Sequence, residues 1–496
     1  MINRRIKSLT IPLALPCLLA AGGACPSATV GDAPRKPDVL FIAIDDMNDW
    51  LKLFDADNPI KTPNLERLAK RGMFFRRAYC VSPACNPSRA AILTGLRPST
   101  SGVYGNHDAW RKLVPEAVTL PRYFRQFGYA TRGAGKIFHH GEAGADRPDR
   151  PSFEKFFDML PARAPEHNYN GYRTGNLSKV WFDWGEHTQK MIDLDTVEWV
   201  EKAMEQRTDK PLFLAAGIFK PHLPFYAPPE VFRDYPFDET RLPPMPEDDL
   251  DDVPEIARNM AMKEYFIYEN TTRQPIGSPG SLKKMVQCYQ ASADFADRMV
   301  GRLIDKLDAL GRADRTIIVL WSDHGYHLGD KKSCVKFTLW EKANHVPFII
   351  VAPGVAEPGS VCDATVSLLD IYPTLVELCG LPATKQPEGR SLVPLLKDPK
   401  AAWEYPAVMT MGRGNHAVRS DRWRYIRYSD GSEELYDHNS DPWELRNLAG
   451  RPRFAKIIAE HKQWLPEKEV PWKIDETKNW IYRRVEWNDV PRNEKK

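Results

Sequence analysis

The chain has 496 residues, of which 42% are hydrophobic, enough for one large domain and a smaller one. Its 69 basic and 66 acidic residues leave a formal net charge of +3 and form no block of like charge, which excludes the electrostatic footprint of a nucleic-acid-binding protein. Any attraction for an anionic substrate must therefore come from a local site and not from the overall field.

The N-terminus has the pattern of an export signal. Basic residues within the first seven positions precede an apolar stretch from Leu9 to Ala21. This stretch is too short to span a bilayer comfortably as a permanent helix, and Pro12 and Pro16 disfavour a buried first helix. We therefore predict that residues 1–25 are a signal peptide and that the protein is exported to the periplasm or the outside of the cell.

The end of this leader leaves one alternative open. Residues 22–25 loosely resemble a bacterial lipoprotein processing site, although they lack its usual leucine. Lipid attachment through Cys25 is therefore the alternative to a freely exported protein.

Four apolar runs predict strands of a sheet that is buried between layers of helices, as in an α/β fold. They extend from Val39 to Ile44, Pro211 to Phe219, Thr316 to Trp321 and Pro347 to Ala352. Ionisable residues lie just past the ends of the first three runs, and a Pro-Gly turn follows the last. Because sites in open α/β sheets form at the carboxyl ends of strands, we expect these polar groups to meet at one edge.

A helix and a long surface excursion are predicted between these runs. Apolar residues recur every fourth position, which indicates a helix with one buried stripe, at Phe295, Met299, Leu303 and Leu307. Gly311 is expected to end this helix. Residues 221–256 are rich in proline and acidic residues, and we predict a surface excursion that forms the rim of a pocket.

The pattern of predicted secondary structure changes near residue 400. Val418 to Ile426 and Glu434 to Asp437 flank a turn at Gly431, as in a β-hairpin, and a helix-like stretch follows. We therefore predict a catalytic domain over residues 36–400 and a C-terminal subdomain with an antiparallel sheet over 401–496.

Eight cysteines are present, but no C-x-x-C pair occurs, which disfavours a zinc ribbon. Five of them are interpreted as small buried hydrophobic residues: Cys80, Cys288, Cys334, Cys362 and Cys379. One disulfide among these five is the alternative, and the sequence does not determine its pairing.

Cys85 opens a segment with the features of a helix N-terminus. Pro87 suits the first turn, and Ala90 to Leu93 continue the helix. Free N–H groups and the helix dipole favour negative charge at this position, and Arg89 adds a planar cation one turn later. From these residues alone, a structural cysteine and a functional one are equally compatible with the segment.

Asp45 and Asp46 form a carboxylate pair directly after the first predicted strand. Paired carboxylates repel each other unless a cation is present, although helix capping or a solvated loop is an alternative explanation. With Asp323 from the end of another strand, three carboxylates are expected to converge. Such a set suits a hard divalent ion such as Ca²⁺.

A family resemblance then joins these features. Cys85-x-Pro87-Ser88-Arg89, followed by Leu93-Thr94-Gly95-Leu96-Arg97-Pro98, resembles the signature of type I sulfatases, in which the cysteine is oxidised after synthesis to formylglycine. The resemblance extends from about residue 37 to the end. Further motifs are most similar to those of the iduronate-2-sulfatase branch: Gly135 to His139, Lys220 to Phe225, Ser322 to Gly325 with Lys336, and His345 to Pro347.

The resemblance implies a fold and a metal site. The fold is an alkaline-phosphatase-like α/β sandwich, with a large, mostly parallel central sheet flanked by helices and a smaller C-terminal antiparallel sheet. The metal is one Ca²⁺ per chain, and its implied ligands are Asp45, Asp46, Asp323, His324 and the modified Cys85. Many sulfatases have asparagine in place of His324, and imidazole is a less usual ligand for calcium. The ion would neutralise sulfate oxygens and orient the nucleophile.

The implied nucleophile is the hydrate of the formylglycine made from Cys85. This hydrate carries two hydroxyls on one carbon. One attacks sulfur and forms a covalent ester, and deprotonation of the other then expels sulfate. A serine could form the ester but would lack that exit route.

Further catalytic residues carry over only through their motifs, since a lone histidine or lysine is more often a surface or satisfied core group. Lys136 and Lys336 would hold sulfate oxygens, and Arg89 would steady the diol. His139 would help to deprotonate the diol, and His222 would protonate the leaving sugar oxygen.

The sequence therefore predicts a sulfatase that acts on a sulfated glycan, exo-acting and specific for a sulfate such as the 2-O-sulfate of a terminal uronic acid. Another sulfated polysaccharide or small sulfate ester is the first alternative. A phosphate or phosphonate monoester hydrolase is the second, which Cys85 disfavours because phosphatases of this superfamily generally use serine or threonine. A glycan-binding protein without catalysis is disfavoured because every expected catalytic position is filled. The predicted partners are the glycan and a formylglycine-generating maturation enzyme, without nucleic acid, and the oligomeric state is left open.

Overall fold

The computed structural model describes residues 35–139, 149–158, 184–262, 265–274 and 280–473. The described residues from Lys36 onward belong to one compact unit. The predicted signal peptide, Cys25 and residues 474–496 lie outside the described residues. The predicted boundary at residue 400 stays a prediction.

The strands are β1 (Asp38–Asp45), β2 (Met73–Tyr79), β3 (Ala130–Gly135), β4 (Lys155–Phe157), β5 (Trp184–Glu186), β6 (Leu212–Pro221), β7 (Phe225–Ala227), β8 (Thr316–Ser322), β9 (Phe348–Val351), β10 (Ser360–Ser367), β11 (Ala407–Thr410), β12 (His416–Arg419), β13 (Trp423–Arg427) and β14 (Glu433–Asp437).

The helices are α1 (Pro63–Ala69), α2 (Cys85–Thr94), α3 (Pro98–Ser101), α4 (Trp110–Leu113), α5 (Leu120–Gln126), α6 (Ile192–Glu205), α7 (Pro229–Phe232), α8 (Glu255–Ala261), α9 (Tyr265–Arg273), α10 (Leu282–Ala309), α11 (Glu341–Asn344), α12 (Ile371–Leu378), α13 (Val393–Lys397) and α14 (Ala455–Lys462). Within the described part of the chain, no helix combines the length and apolar character needed to cross a membrane.

The central sheet has eight strands in the order β10-β2-β9-β8-β1-β6-β3-β4. Strand β9 runs antiparallel to both β2 and β8, and the other neighbouring pairs are parallel. In β1, Ile44 pairs with Ile218 of β6 and with Ser322 of β8, so the carboxyl ends of these three strands lie side by side. The mostly parallel central sheet is confirmed.

The sheet is buried on both faces because alternate side chains of each central strand enter different cores. In β1, Val39 and Phe41 join the core that contains residues of α2, α5 and α12. Leu40 and Ile42 join the opposite core, which contains residues of α1, α6 and α10. Residues that are apolar on both faces therefore appear as continuous runs in the sequence.

The C-terminal sheet has the antiparallel order β11-β12-β13-β14. The segment from Val418 to Ile426, which the pattern predicts to be one strand of a hairpin, is divided between β12 and β13. Ser420 reverses the chain there, because its N–H donates to the carbonyl of Trp423 at 2.9 Å and its Oγ accepts from the Trp423 N–H at 3.3 Å. The predicted turn at Gly431 joins β13 to β14, with a φ of 86°.

The predicted surface excursion over 221–256 is wrong at its beginning. Residues 221–227 are buried, and β7 pairs in parallel with β5. This part is buried because it follows β6 directly, at the edge of the sheet where the carboxyl ends of β1, β6 and β8 lie. Only the later part, around residues 237–252, consists mainly of partly exposed turns and loops.

The described cysteines are buried and free: Cys80, Cys85, Cys288, Cys334, Cys362 and Cys379. The interpretation of five of them as buried small residues agrees with this, and the alternative of one disulfide among those five does not.

A buried charge cluster joins β13 to the loop after β8. The Arg424 guanidinium pairs with Glu341 and, at 2.6 Å, with Glu444, and it donates to the Leu339 carbonyl at 2.9 Å. His438 lies 2.9 Å from Glu444. Burial raises the pKa of Glu341, but the neighbouring cations outweigh it and hold this pKa well below its usual range. Arg424, together with His438 and Arg419, thus supplies the positive charge that these carboxylates require.

Replacement of Arg424 by methionine is expected to lower the free energy of unfolding by about 3–5 kcal/mol, because buried Glu444 loses its main cation and buried Glu341 loses one of its cations. Denaturant unfolding measures this loss. The matched control is Arg422→Met, since the side chain of Arg422 is 52% exposed in its pair with Asp437 and water already screens that pair. Equal unfolding midpoints for the two variants would contradict the expectation.

Candidate active site at the carboxyl edge of the sheet

Ten side chains proposed from the sequence meet at the carboxyl edge of the central sheet, near the ends of β1, β3, β6 and β8 and at the start of α2. They are Asp45, Asp46, Cys85, Arg89, Lys136, His139, His222, Asp323, His324 and Lys336. All except the partly buried His139 are buried, although all ten are ionisable. So many buried ionisable groups indicate a functional site because their desolvation is costly unless they compensate one another.

Cys85 lies at the centre of this cluster, as the first residue of α2, and is fully buried. Its Sγ lies 3.1 Å from Lys336 Nζ, 3.2 Å from His324 Nε2 and 3.7 Å from Lys136 Nζ. Burial raises the pKa of the thiol, but the two lysines and His324 outweigh it and hold the pKa well below its usual value. The surroundings of Cys85 therefore favour negative charge at this position.

Arg89 holds in place the carboxylates and the main chain that surround Cys85. Its Nε donates to Asp323 Oδ2 at 2.7 Å, and its Nη2 donates to Asp45 Oδ1 at 3.3 Å. Its Nη1 donates to the main-chain carbonyl of Lys136. Because all three nitrogen atoms are engaged, Arg89 joins the ends of β1, β3 and β8.

Asp46 has a backbone conformation that aims its carboxylate into the cluster. Its φ is 64°, in the left-handed region that aspartate tolerates better than most residues. The Tyr289 hydroxyl donates to the Asp46 carbonyl at 2.9 Å, and the Asp46 N–H donates to Asp323 Oδ1 at 3.2 Å. Lys336 Nζ lies 2.6 Å from Oδ1, whereas Oδ2 is buried without a hydrogen-bond partner.

The donor atoms fit a divalent cation. One overlapping set is Asp45, Asp46, Cys85 and His222, and another is Asp45, Cys85, Asp323 and His324, with the donor atoms of each set within 4.8 Å of one another. Carboxylate oxygens, which hard cations prefer, make up half of each set, and the unpartnered Asp46 Oδ2 is an acceptor that a cation would satisfy.

Burial and charged neighbours shift the pKa values of two groups in this cluster, Asp323 and His324. Burial raises the pKa of Asp323 to about 7 against the opposing effect of Arg89. Burial lowers the pKa of His324, but Asp323 outweighs it and raises this pKa to about 9. A bound cation would favour the ionised carboxylate and the neutral imidazole, which are the forms that ligate metals.

Two further histidines lie at the mouth of the cluster. His222 Nδ1 donates to the Leu223 carbonyl at 2.6 Å, which leaves Nε2 facing Asp46 Oδ2 at 3.9 Å. His139 hydrogen-bonds to Cys85, and its Nδ1 is buried without a partner. Burial lowers the pKa of His139, so a neutral ring that accepts protons is favoured at neutral pH.

Sequence reasoning missed two supporting residues, Tyr289 and Lys220. Tyr289 holds the Asp46 backbone from the first half of α10, and Lys220 lies two residues before His222 with 3% of its surface exposed. Lys220 begins the motif from Lys220 to Phe225, so the resemblance of that motif was a signal for it. Tyr289 has no local signal, since its partner is 243 positions away.

Comparison with known proteins gives the family. Residues 37–381 match the family model described as Sulfatase, and residues 329–470 match the model described as N-sulphoglucosamine sulphohydrolase, C-terminal. A sulfatase of Formosa agariphila is 37% identical over 462 residues, which cover 90% of this chain and 89% of that protein. Human iduronate 2-sulfatase is 31% identical over 384 residues, which cover 69% of each chain.

Solved structures agree on the fold. A phosphonate monoester hydrolase from Silicibacter pomeroyi matches with a TM-score of 0.71 and 22% identity, over 86% of this chain and 94% of that one. A protein solved in complex with its substrate D-glucosamine-2-N,6-O-disulfate matches with a TM-score of 0.67 and 21% identity, over 86% and 96%. The family model spans well over half of the chain, and the two relatives exceed 30% identity: the chain belongs to the sulfatase family of sulfuric ester hydrolases.

Proposed function

We propose that this sulfatase removes sulfate from a sulfated glycan, exo-acting on the 2-O-sulfate of a terminal uronic acid. The observation that carries the proposal is the buried Cys85 at a helix N-terminus, in contact with two lysines and a histidine and beside three carboxylates. The likeness to human iduronate 2-sulfatase supports the uronic acid, and the glucosamine disulfate bound to a structural relative supports a sulfated sugar.

The family implies two additions to the chain, a formylglycine made from Cys85 and a divalent cation. We propose that the cation is a single Ca²⁺ held by Asp45, Asp46, Asp323, His324 and the modified Cys85. When bound, the cation would supply Lewis-acid stabilisation of the sulfate charge. The formylglycine hydrate would supply a nucleophile with two hydroxyls on one carbon.

The chain's own residues then divide the remaining work. Lys136 and Lys336, whose ammonium groups lie within 3.7 Å of Cys85 Sγ, would hold the sulfate oxygens and offset their charge. Arg89 would keep the carboxylates and the N-terminus of α2 in place and so steady the diol. His139 would accept a proton from the hydrate, and His222 Nε2 would give a proton to the leaving sugar oxygen.

Export and maturation complete the proposal. We propose that residues 1–25 are removed as a signal peptide and that the protein acts in the periplasm or outside the cell, with lipid attachment at Cys25 as the alternative. A maturation enzyme would convert Cys85. We also propose a catalytic domain over 36–400 and a C-terminal subdomain over 401–496.

A second candidate function is the hydrolysis of phosphate or phosphonate monoesters, which the fold shared with a phosphonate monoester hydrolase favours. A parallel assay of matured protein on aryl sulfate and aryl phosphate separates the two. We expect kcat/KM to be at least about 100-fold higher on the sulfate, a difference of about 2.7 kcal/mol in the barrier. A preference for the phosphate ester would favour the second candidate.

The substrate itself is tested with defined sulfated oligosaccharides. We expect release of one sulfate, from a 2-O-sulfated uronic acid at the non-reducing end, and no release from the same residue inside the chain. Release of sulfate from another position would leave the assignment as a sulfatase intact but would contradict the proposed 2-O-sulfate specificity.

A further inference from the structure

Lys220 is a buried lysine to which the proposed mechanism assigns no role. It lies next to the last residue of β6, with 3% of its surface exposed. Its Nζ donates to the main-chain carbonyl of His222 at 3.2 Å and to the carbonyl of Pro224. A buried side chain that donates to two carbonyls of one turn restricts the shape of that turn.

The main chain at Lys220 is held from the other side by Asp193. This fully buried residue lies in the first turn of α6. Its Oδ1 accepts from the Phe219 N–H at 2.6 Å and its Oδ2 accepts from the Lys220 N–H at 3.1 Å. The base of the turn is thereby anchored to a helix that packs on the sheet.

The orientation of the His222 ring depends on the same turn. Its Nδ1 donates to the carbonyl of Leu223 at 2.6 Å. Lys220 binds the carbonyls of the residues on each side of Leu223, namely His222 and Pro224. A shift of the Leu223 carbonyl would release Nδ1 and turn Nε2 away from the site.

We propose that Lys220 is a positioning residue for His222: its two hydrogen bonds hold the Leu223 carbonyl where it accepts Nδ1–H, and so direct Nε2 at the substrate. This inference rests on the proposed function, in which His222 protonates the leaving oxygen. Lys220 does not need its charge for this role, since a neutral amine also has two N–H groups.

The kinetic test compares two sulfate esters with different leaving groups. On an alkyl sulfate, whose leaving oxygen needs a proton, Lys220→Met is expected to lose about 100-fold in kcat, the cost of a misplaced catalytic group. On 4-nitrophenyl sulfate, whose leaving group departs as an anion, the loss is expected to stay within a few-fold. His222→Ala should show the same dependence, and the double variant should be no slower than His222→Ala alone.

Two controls separate positioning from general damage. Arg132→Met removes another buried basic side chain, which donates to the Ala203 carbonyl at 2.8 Å and has no role in the proposed mechanism. It should affect both esters equally. Lys220→Gln keeps N–H donors and should fall between wild type and Lys220→Met. If Lys220→Met does not fold, the ester dependence of Lys220→Gln decides. Equal losses on both esters, or multiplied losses in the double variant, would overturn the proposal.

A measurement without turnover keeps this inference separate from the proposed function. The ring ¹⁵N signals of His222, assigned by their loss in His222→Ala, report whether Nδ1 carries the proton. We expect a protonated Nδ1 in the wild type and a mixture of tautomers in Lys220→Met. If the His222 tautomer is the same in Lys220→Met as in the wild type, the role of Lys220 is refuted even if the enzyme is active. If the tautomer changes but the wild-type protein has no sulfatase activity, only the proposed function is refuted.

Discussion

Replacement of Cys85 by serine is expected to stop the enzyme after about one sulfate has been transferred per chain, with a loss of at least about 1,000-fold in kcat. Serine keeps an oxygen nucleophile at the N-terminus of α2, surrounded by Lys136, His324 and Lys336. It has one hydroxyl, so the ester that it forms cannot be expelled by a second hydroxyl on the same carbon. Rapid-quench kinetics would measure the burst, and the intact mass would show one added sulfate.

The matched control is Cys379→Ser, which changes another buried free cysteine at the end of α12, outside the site. It should retain steady turnover. Wild-type protein produced without a maturation enzyme should be folded but nearly inactive, and the mass of the peptide that contains Cys85 would show an unmodified thiol. Sustained turnover by Cys85→Ser, or full activity of the unmodified protein, would refute the role given to formylglycine.

Replacement of Asp46 by asparagine is expected to remove the bound divalent cation and most of the activity. The change is nearly isosteric but removes a negative charge that faces the donor atoms of Cys85, Asp45 and His222. The amide would place either a partial positive charge or a weaker acceptor where Oδ2 now lies unpartnered. Metal analysis of the purified protein would measure occupancy, and thermal unfolding with and without added Ca²⁺ would show the loss of ligand stabilisation.

Asp49→Asn is the control for this change. Asp49 is buried three residues further on, but its carboxylate pairs with Lys342 at 2.7 Å and with His345 at 3.1 Å. We expect this variant to lose stability while it keeps the metal. A fully occupied metal site in Asp46→Asn, or an equal loss of metal in Asp49→Asn, would contradict the proposed ligand set.

The sequence predicted the central strands well and the shorter elements less well. The run from Thr316 to Trp321 differs from β8 by one residue, because a strand buried on both faces must be apolar throughout. Strand β2 was not predicted, since Arg76 and Arg77 in its middle interrupt the apolar pattern. The stripe that ends near Gly311 indicated only the second half of α10, because the first half of this helix is buried on several faces.

By itself, the sequence determined the fold class, the order of the principal strands, the family motifs and the identity of the candidate site residues. Apolar periodicity is sufficient for the fold class and the strands because it depends on neighbours along the chain, whereas most of the candidate site residues were identified through the resemblance of their motifs to a known family. Only the tertiary structure decided how the groups meet: Asp46 contacts Asp323 across 277 positions, and Tyr289 supports Asp46 from a helix. The hold of Lys220 on the His222 turn is local in sequence, yet it depends on the fold of that turn and on burial, which a motif does not encode.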